Sequence, residues 1–351
     1  MKKLDAALLP DFKTWTAPPL PSEIPHGDMP GDKVHIGDDH IAKANRVFPA
    51  LLEKAEAVLQ QNPFGRCVVT VCGGSGVGKS ETASLLSYYF TQAGLGSYTL
   101  SGDNYPHRVP MYNDAERLRI FREGGIRGLI TSGVYCADAA AILRELWCSE
   151  EDAAPAKVKE YPWLALYQKA GRAALAGYLG HPAEQDFAQL TEIVRQFKNG
   201  ADTIWLKRMG RSDTELYYEN VDFSAVRVLI IEWTHGNSDY YAGVDIPILL
   251  NSTPQETAAY RKLRNRDGKT DSAFTTMVLE IEQRLLEQQA HKAAFIIAKS
   301  GKLLSYAQYR ALMAQSYPVF LILIPYDRNF EKFVKGRVQV HIFIVGRSAF
   351  L

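Results

Sequence analysis

Apolar side chains along the chain recur with two different periods, which predict strands alternating with helices. Residues 41–61 carry apolar positions at helical spacing, and Asn62-Pro63-Phe64-Gly65 ends that helix. The β-branched run Cys67–Cys72 fits a strand that is buried on both faces. A glycine-rich turn, an amphipathic helix ending near Gly94 and a strand over Ser97–Leu100 follow. This order is the β-loop-α-β unit of a doubly wound sheet.

The alternation of predicted strands and helices is interrupted after the second strand and then resumes. Residues 106–180 are predicted to form a helical insertion, with helices over Ala137–Trp147 and Trp163–Tyr178. Beyond it, the predicted helices are Phe187–Phe197, Pro254–Arg264, Ser272–Gln289 and Ser305–Gln315, and the predicted strands are Thr203–Leu206, Val226–Ile231, Ile246–Leu250 and Ala294–Ala298. Two C-terminal runs, Phe320–Ile324 and Val338–Val345, have strand-like composition but no assigned place in the sheet.

The first 40 residues differ in composition from the rest of the chain. They are rich in Pro, Gly and Asp, and segments such as Pro18-Pro19-Leu20-Pro21 cannot propagate a helix or a central strand. We therefore expect an extended N-terminal arm over residues 1–40 and one domain over residues 41–351.

Composition and charge narrow the range of partners. The 351 residues include 40 Lys and Arg against 39 Asp and Glu, so there is no global basic field of the kind that captures nucleic acid. No run of 18 apolar residues is present, which argues against a membrane span. The four cysteines are scattered and are expected to be free thiols in a reducing cytoplasm. A small-molecule substrate is expected, and the sequence leaves undecided whether the protein forms a homodimer.

One motif carries specific chemistry. Gly73-Gly74-Ser75-Gly76-Val77-Gly78-Lys79-Ser80 matches GxxxxGK[ST], the phosphate-binding P-loop, between a predicted strand and a predicted helix. Its glycines let backbone N–H groups approach phosphate oxygens, Lys79 can reach the β- and γ-phosphates, and Ser80 can offer its hydroxyl to Mg²⁺. The residues predicted to bind ATP are Gly73, Gly74, Ser75, Gly76, Val77, Gly78, Lys79, Ser80 and Glu81. The fold class predicted is α/β, a P-loop NTPase-type doubly wound, mainly parallel sheet with helices on both faces.

Two carboxylates follow predicted strands and are candidates for the chemistry. Asp103 comes after the second strand and Glu232 closes a later one, and the carboxyl ends of parallel strands border the ligand crevice. Asp103 could instead form a turn, and Glu232 could cap a helix or loop. Neither an NKxD-type guanine reader nor an LSGGQ-like segment is present, which disfavours a GTPase or an ABC ATPase.

In these segments the chain resembles the small-metabolite P-loop kinases grouped around uridine kinase, phosphoribulokinase and pantothenate kinase. The resemblance covers roughly residues 65–300 and rests on the P-loop and four further segments. These are Ser101-Gly102-Asp103-Asn104-Tyr105, His181-Pro182-Ala183-Glu184-Gln185-Asp186-Phe187, Val228–Glu232 with Asp245–Leu250, and the arginine-rich Glu256–Asp267.

The resemblance implies roles for individual residues. Asp103 matches the aspartate that deprotonates the substrate hydroxyl, and Glu232 matches the glutamate that holds Mg²⁺ together with Ser80. An arginine-rich lid at about 261–275 would clamp the transferring phosphate, with Arg264 and Arg266 as catalytic candidates beside Asp103 and Lys79. The chain departs from the family at Trp233, where glycine is usual, and in its long 106–180 segment.

The insertion and the segment after it supply candidate substrate contacts, which are Tyr105, His107, Arg108, His181 and Asp186. Arg117 and Arg119 are interpreted instead as i,i+4 surface charges of a helix. His235 is a second-rank catalytic candidate. The leading hypothesis is a Mg-dependent kinase that transfers the γ-phosphoryl group of ATP to a hydroxyl of a small metabolite. The alternatives are a nucleotide-dependent switch or ATPase, and a nucleotide-binding module without catalysis.

Overall fold

The computed structural model describes residues 13–32, 34–253, 255–258 and 272–316. The helices are α1 Asp38–Gln61, α2 Lys79–Gln92, α3 Pro110–Thr131, α4 Ala137–Cys148, α5 Leu164–Ala176, α6 Phe187–Lys198, α7 Ala273–Gln289 and α8 Tyr306–Ser316. The strands are β1 Cys67–Gly73, β2 Ser97–Ser101, β3 Thr203–Met209, β4 Leu216–Asp222, β5 Val228–Glu232, β6 Ile246–Asn251, β7 Phe295–Ala298 and β8 Leu303–Leu304. None of the helices described is long and apolar enough to cross a membrane.

The main sheet has the strand order β2-β5-β1-β6-β7-β8, in which only the short β8 runs antiparallel to its neighbour. The chain passes from β1 to β2 on one side and later to β6 on the other, so the order reverses beside β1. A crevice forms at such a reversal, outside the carboxyl ends of the strands. The predicted fold class, a doubly wound and mainly parallel α/β sheet, is confirmed.

The central strand β1 is buried along its whole length because both faces of the sheet are covered. Its residues Val69 and Val71 join a core with α1 and α2 on one face. Val68 faces the other side, where it joins a core with α6 and the β3–β4 hairpin. Because both faces are apolar, the strand reads as a continuous hydrophobic run rather than an alternation.

The N-terminal arm packs on the domain. Residues 13–32 and 34–37 have no regular secondary structure, and Trp15 lies against Phe48 and Tyr89 with ring centroids 4.8 and 5.3 Å apart. The helix that follows begins at Asp38, three residues before the predicted Ile41. The segment before α1 is thus part of the first apolar core.

Residues 106–180 contain the helices α3, α4 and α5. Glycines let α3 and α5 approach closely: a Cβ on Gly125 would lie 2.4 Å from the Tyr167 ring, and one on Gly171 would lie 2.5 Å from the Phe121 carbonyl oxygen. Tyr167 is fully buried and its hydroxyl donates to Asp152, so it belongs to the core of the insertion.

The β3–β4 hairpin differs from the sequence-based expectation. β3 extends from Thr203 to Met209, beyond the predicted end at Leu206, and pairs with β4 in a separate two-stranded sheet. β4 was not predicted because nearly all of its side chains are exposed, so it carries no apolar period. The predicted strands at Phe320–Ile324 and Val338–Val345 lie outside the described residues.

The Phe48→Ala variant should lower the free energy of unfolding by about 3–5 kcal/mol, because it opens a cavity in the core. Phe48 is fully buried and contacts the rings of Tyr89 and Phe90 at centroid distances of 5.3 and 4.9 Å. Urea denaturation measures the change. Phe64, which is 37% exposed, supplies the matched control, and its alanine variant should lose much less.

Candidate active site

The P-loop connects β1 to α2 with the geometry that phosphate binding requires. Gly76 and Gly78 have φ angles of +78° and +92°, which residues with a Cβ rarely adopt. The Lys79 ammonium lies back over the loop and donates to the Gly74 carbonyl at 3.2 Å. The loop and the first turn of α2 therefore form a cradle beside the Lys79 ammonium, which fits the phosphates of ATP.

Glu232 lies at the carboxyl end of β5, beside the P-loop. The Ser80 hydroxyl donates to its Oε2 at 3.3 Å, and the Ser101 hydroxyl donates to its Oε1 at 2.6 Å. These are hard oxygen donors of the kind that Mg²⁺ prefers. Among the described residues no cluster of three or more His, Cys, Asp or Glu could hold a metal by itself. Ser80 and Glu232 thus fit a Mg²⁺ ion that completes its coordination with water and phosphate oxygens.

Asp103 is the exposed residue of the short turn Gly102–Asn104 directly after β2, whose other two residues are buried. Burial, and secondarily the negative charge of Asp103, raise the pKa of Glu232 to about 7. The two carboxylates therefore share one neighbourhood, and Lys79 opposes the shift as the nearest cation. β1, β2 and β5 bring Lys79, Asp103 and Glu232 to the same edge of the sheet.

Trp233 follows Glu232 and is 1% exposed. A Cβ on Gly102 would lie 2.1 Å from Cγ of the indole, so the ring occupies the space that a side chain at 102 would fill. The large residue at 233 is accommodated because the turn that follows β2 begins with a glycine, Gly102.

Asp28 of the N-terminal segment contacts this edge, and no motif or period in the sequence indicates it. Its side chain is 7% exposed and pairs with Arg208 of β3 at 2.8 Å. Burial raises the pKa of Asp28 to about 6, although Arg208 opposes the shift. At pH 7.5 the group is mainly a carboxylate.

A second buried carboxylate, Glu184, was also missed. It accepts hydrogen bonds from Arg117 Nε at 2.5 Å, Asn113 Nδ2 at 3.1 Å and the Gly180 amide at 2.6 Å. Burial opposes ionisation, but Arg117 and the Gly180 amide keep the pKa of Glu184 below its ordinary value. The interpretation of Arg117 as a surface charge is wrong, because the buried Glu184 draws it inward.

The surface interpretation of Arg119 is confirmed, since it pairs with Glu116 and Glu123 on the exposed face of α3. His235, the second-rank candidate, is 6% exposed, and its ring packs against Gly180. Burial lowers the pKa of His235 to about 4, so its imidazole is neutral at physiological pH. A neutral imidazole in this position can hydrogen-bond but adds no charge.

The predicted substrate residues have different surroundings. His107 lies within 2.9 Å of the Pro182 carbonyl, and Arg108 donates to the Tyr178 hydroxyl at 3.0 Å. The His181 ring lies 2.7 Å from the hydroxyl of Tyr240. Asp186 caps α6 by accepting from the Gln189 amide, and Tyr105 is fully buried. None of these contacts tests a substrate role, which stays a prediction.

Glu282 of α7 lines a pocket together with Gly74 and Ser75 of the P-loop. Burial raises the pKa of Glu282 to about 7, with opposing contributions that include Arg117 and Lys79. This pocket is small and open, borders the P-loop and is lined by Gly74, Ser75, Ser252, Thr257, Leu279, Glu282 and Gln283. Arg264, Arg266 and residues 261–271 of the predicted lid lie outside the described residues, while Ser272 caps α7.

Comparison with known proteins gives one curated relative. A region of 251 residues, 72% of the chain, is 38% identical to the bifunctional alpha-galactosidase/sucrose kinase AgaSK of Mediterraneibacter gnavus. The matched region is 22% of that protein, so the chain spans about a fifth of the length of its relative. The resemblance to P-loop small-metabolite kinases is thereby confirmed. No protein-family model matches the chain.

Solved structures similar to this chain include kinases of low sequence identity. A putative fructose transport system kinase from Silicibacter sp. TM1040 is 15% identical with a TM-score of 0.41, over 73% of this chain and 96% of that one. A possible uridine kinase from Bacillus stearothermophilus is 13% identical with a TM-score of 0.36, over 70% and 98% of the two chains. TM-scores below 0.5 are too low for these structures to support a conclusion about this chain.

The Glu232→Gln variant should be more stable than the parent at pH 8 in the absence of nucleotide. A carboxyl whose pKa is higher in the folded state stabilises the fold below its unfolded pKa, near 4.5, and that contribution is lost as the pH rises through about 7. Gln does not ionise, so the variant avoids this loss of folding stability, which is on the order of 1–3 kcal/mol.

Thermal unfolding of both proteins at pH 8 and pH 4.5 measures the effect, with the exposed Glu53→Gln as the control. The difference between parent and Glu232→Gln should shrink at the lower pH. An equal difference at both pH values would contradict the assignment.

Proposed function

We propose that this protein is a Mg-dependent phosphotransferase that transfers the γ-phosphoryl group of ATP to a hydroxyl group of an uncharged carbohydrate. The observation that carries the proposal is the meeting of Lys79, Ser80, Asp103 and Glu232 at one edge of the sheet. A switch needs no base beside the phosphate cradle, whereas an acceptor hydroxyl must lose a proton as it attacks.

Each of these side chains has one role in the proposed transfer. The Lys79 ammonium leaves the Gly74 carbonyl and binds the β- and γ-phosphates. Ser80 and Glu232 hold Mg²⁺, which when bound neutralises charge on the phosphates. Asp103, exposed to the crevice, accepts the proton of the attacking hydroxyl. Arg264 and Arg266 remain candidates for stabilising the charge that develops in transfer.

The charges around the crevice support an uncharged acceptor. In the part of the chain that the structure describes, three cations of the insertion and the hairpin already have partners: Arg117 pairs with Glu184, Arg108 contacts Tyr178 and Glu116, and Lys207 donates to the Pro106 carbonyl. A phosphorylated acceptor would need a cation released from such a pair. Polar groups such as Glu282 and His181 can instead hydrogen-bond to sugar hydroxyls.

The curated relative suggests which acceptor to test first. Its name includes a sucrose kinase activity, and the identity of 38% extends over 251 residues of this chain. We therefore propose sucrose as the first candidate within the class of neutral sugars.

The experiment is a coupled assay of ATP consumption with a panel of acceptors. The panel contains sucrose, its constituent monosaccharides, a sugar phosphate, a nucleoside and glycerate, and the product is identified by mass spectrometry. We expect turnover that requires both Mg²⁺ and a neutral sugar, and no turnover by the Lys79→Ala variant. Turnover without any acceptor would indicate an ATPase, and nucleotide binding without turnover would indicate a binding module.

The Asp103→Asn variant should lower kcat by about 10²–10⁴-fold while the Kd for Mg-ATP changes little. Asn keeps the shape of the side chain and one acceptor oxygen but cannot take the proton. Steady-state kinetics and calorimetric titration of Mg-ATP measure the two quantities. A kcat within a few-fold of the parent would remove Asp103 from the role of base.

A further inference from the structure

We infer that Asp28 is a positioning residue of the active site, through which the N-terminal segment holds the turn that carries Asp103. The inference rests on the proposed function for its catalytic consequence. The contacts themselves are independent of it, because they join the segment before α1 to the carboxyl end of β2.

The Asp28 carboxylate accepts four hydrogen bonds. Its Oδ1 receives the Ser101 amide at 2.7 Å and Asn104 Nδ2 at 3.0 Å. Its Oδ2 receives the Tyr98 hydroxyl at 3.0 Å and Arg208 Nη1 at 2.8 Å. Both oxygens therefore face donors, and a side chain that presents a donor of its own cannot satisfy this set. Burial makes the requirement stringent, since a lost hydrogen bond here is not replaced by water.

The residues that Asp28 binds are those on which the site depends. Ser101 and Asn104 flank Asp103 and fix the two ends of its turn. The Ser101 hydroxyl donates to Glu232 at 2.6 Å, so the position of Ser101 also sets one contact of the metal-binding carboxylate. Asn104 continues the network to β3, because its Oδ1 accepts from the Met209 amide at 2.9 Å.

The neighbouring Gly27 brings the segment over Glu232. A Cβ on Gly27 would lie 3.9 Å from Glu232 Oε1 and 3.5 Å from the Thr99 side chain. The segment thus covers the buried side of the metal-binding carboxylate while Asp28 anchors it. Arg208 completes the anchor by donating to the Tyr98 hydroxyl at 2.9 Å as well.

The test is the Asp28→Asn variant of the full chain. Asn replaces one acceptor oxygen with an NH₂ group, which faces donors and cannot accept from them. The turn should therefore be held less firmly. We expect hydrogen exchange of peptides covering residues 97–105 to accelerate, and kcat to fall by about tenfold or more because a small displacement of catalytic groups is costly. The Kd for Mg-ATP should change by a smaller factor than kcat, since Asp28 makes no hydrogen bond to the P-loop and the Ser80 hydroxyl still contacts Glu232 Oε2.

Asp245→Asn is the matched control. Asp245 also accepts from a backbone amide, that of Val68 at 2.9 Å, and from a lysine, Lys198 at 2.6 Å, but it lies just before β6, at the amino end of the sheet. This variant should lose stability without the kcat effect or the faster exchange at 97–105. Tyr98→Phe, which removes one of the four donors, gives an intermediate loss and serves if Asp28→Asn does not fold.

The outcomes separate the inference from the proposed function. Unchanged exchange at 97–105, or faster exchange with an unchanged kcat, overturns the positioning role. A fall in kcat that Asp245→Asn reproduces assigns the effect to global stability and also overturns it. If the parent transfers no phosphoryl group to any acceptor, the proposed function fails, and the exchange measurement alone decides whether Asp28 holds the turn.

Discussion

The buried carboxylate of Glu232 is the constraint on which the site is organised. A carboxylate removed from water is unfavourable unless donors or cations compensate it, and here two serine hydroxyls and Lys79 offset only part of the cost of burial. Those partners lie on β2, on α2 and in the P-loop. Each of these elements must therefore place its partner residue close to Glu232, at the carboxyl edge of the sheet. The packing of Trp233 against Gly102 fixes the same two strands relative to each other.

The sequence was sufficient for the parts of the site that are local in the chain. Residues Gly73–Ser80 form the P-loop from neighbouring positions, and Asp103 and Glu232 follow strands that apolar runs identify. Asp28 and Glu184 could not be found in this way. Their partners are separated from them by 180 and 67 residues, at Arg208 and Arg117, and no period or motif encodes such pairs.

The fold shows the same division between local features, which the sequence predicts, and contacts between distant segments, which it does not. Strands of the parallel sheet were predicted closely because burial on both faces makes them uniformly apolar. β4 was missed because its exposure leaves no pattern, and the close contact of α3 with α5 depends on glycines, whose effect appears only when the helices are paired. Prediction from sequence therefore fails where the role of a residue depends on the distant residues that it packs against.

The contact between Asp28 and Arg208 also bears on the order in which the molecule is completed during synthesis. Asp28 leaves the ribosome long before Ser101, and Arg208 follows more than a hundred residues after that. At typical translation rates of about 5–20 residues per second, the segment waits several seconds or more for its last partner. The sheet around the P-loop cannot assemble in that interval either, because β5 lies between β1 and β2 and follows the hairpin in the chain, so the catalytic edge closes only when β5 has emerged. The earliest part of the chain is thus among the last to reach its place.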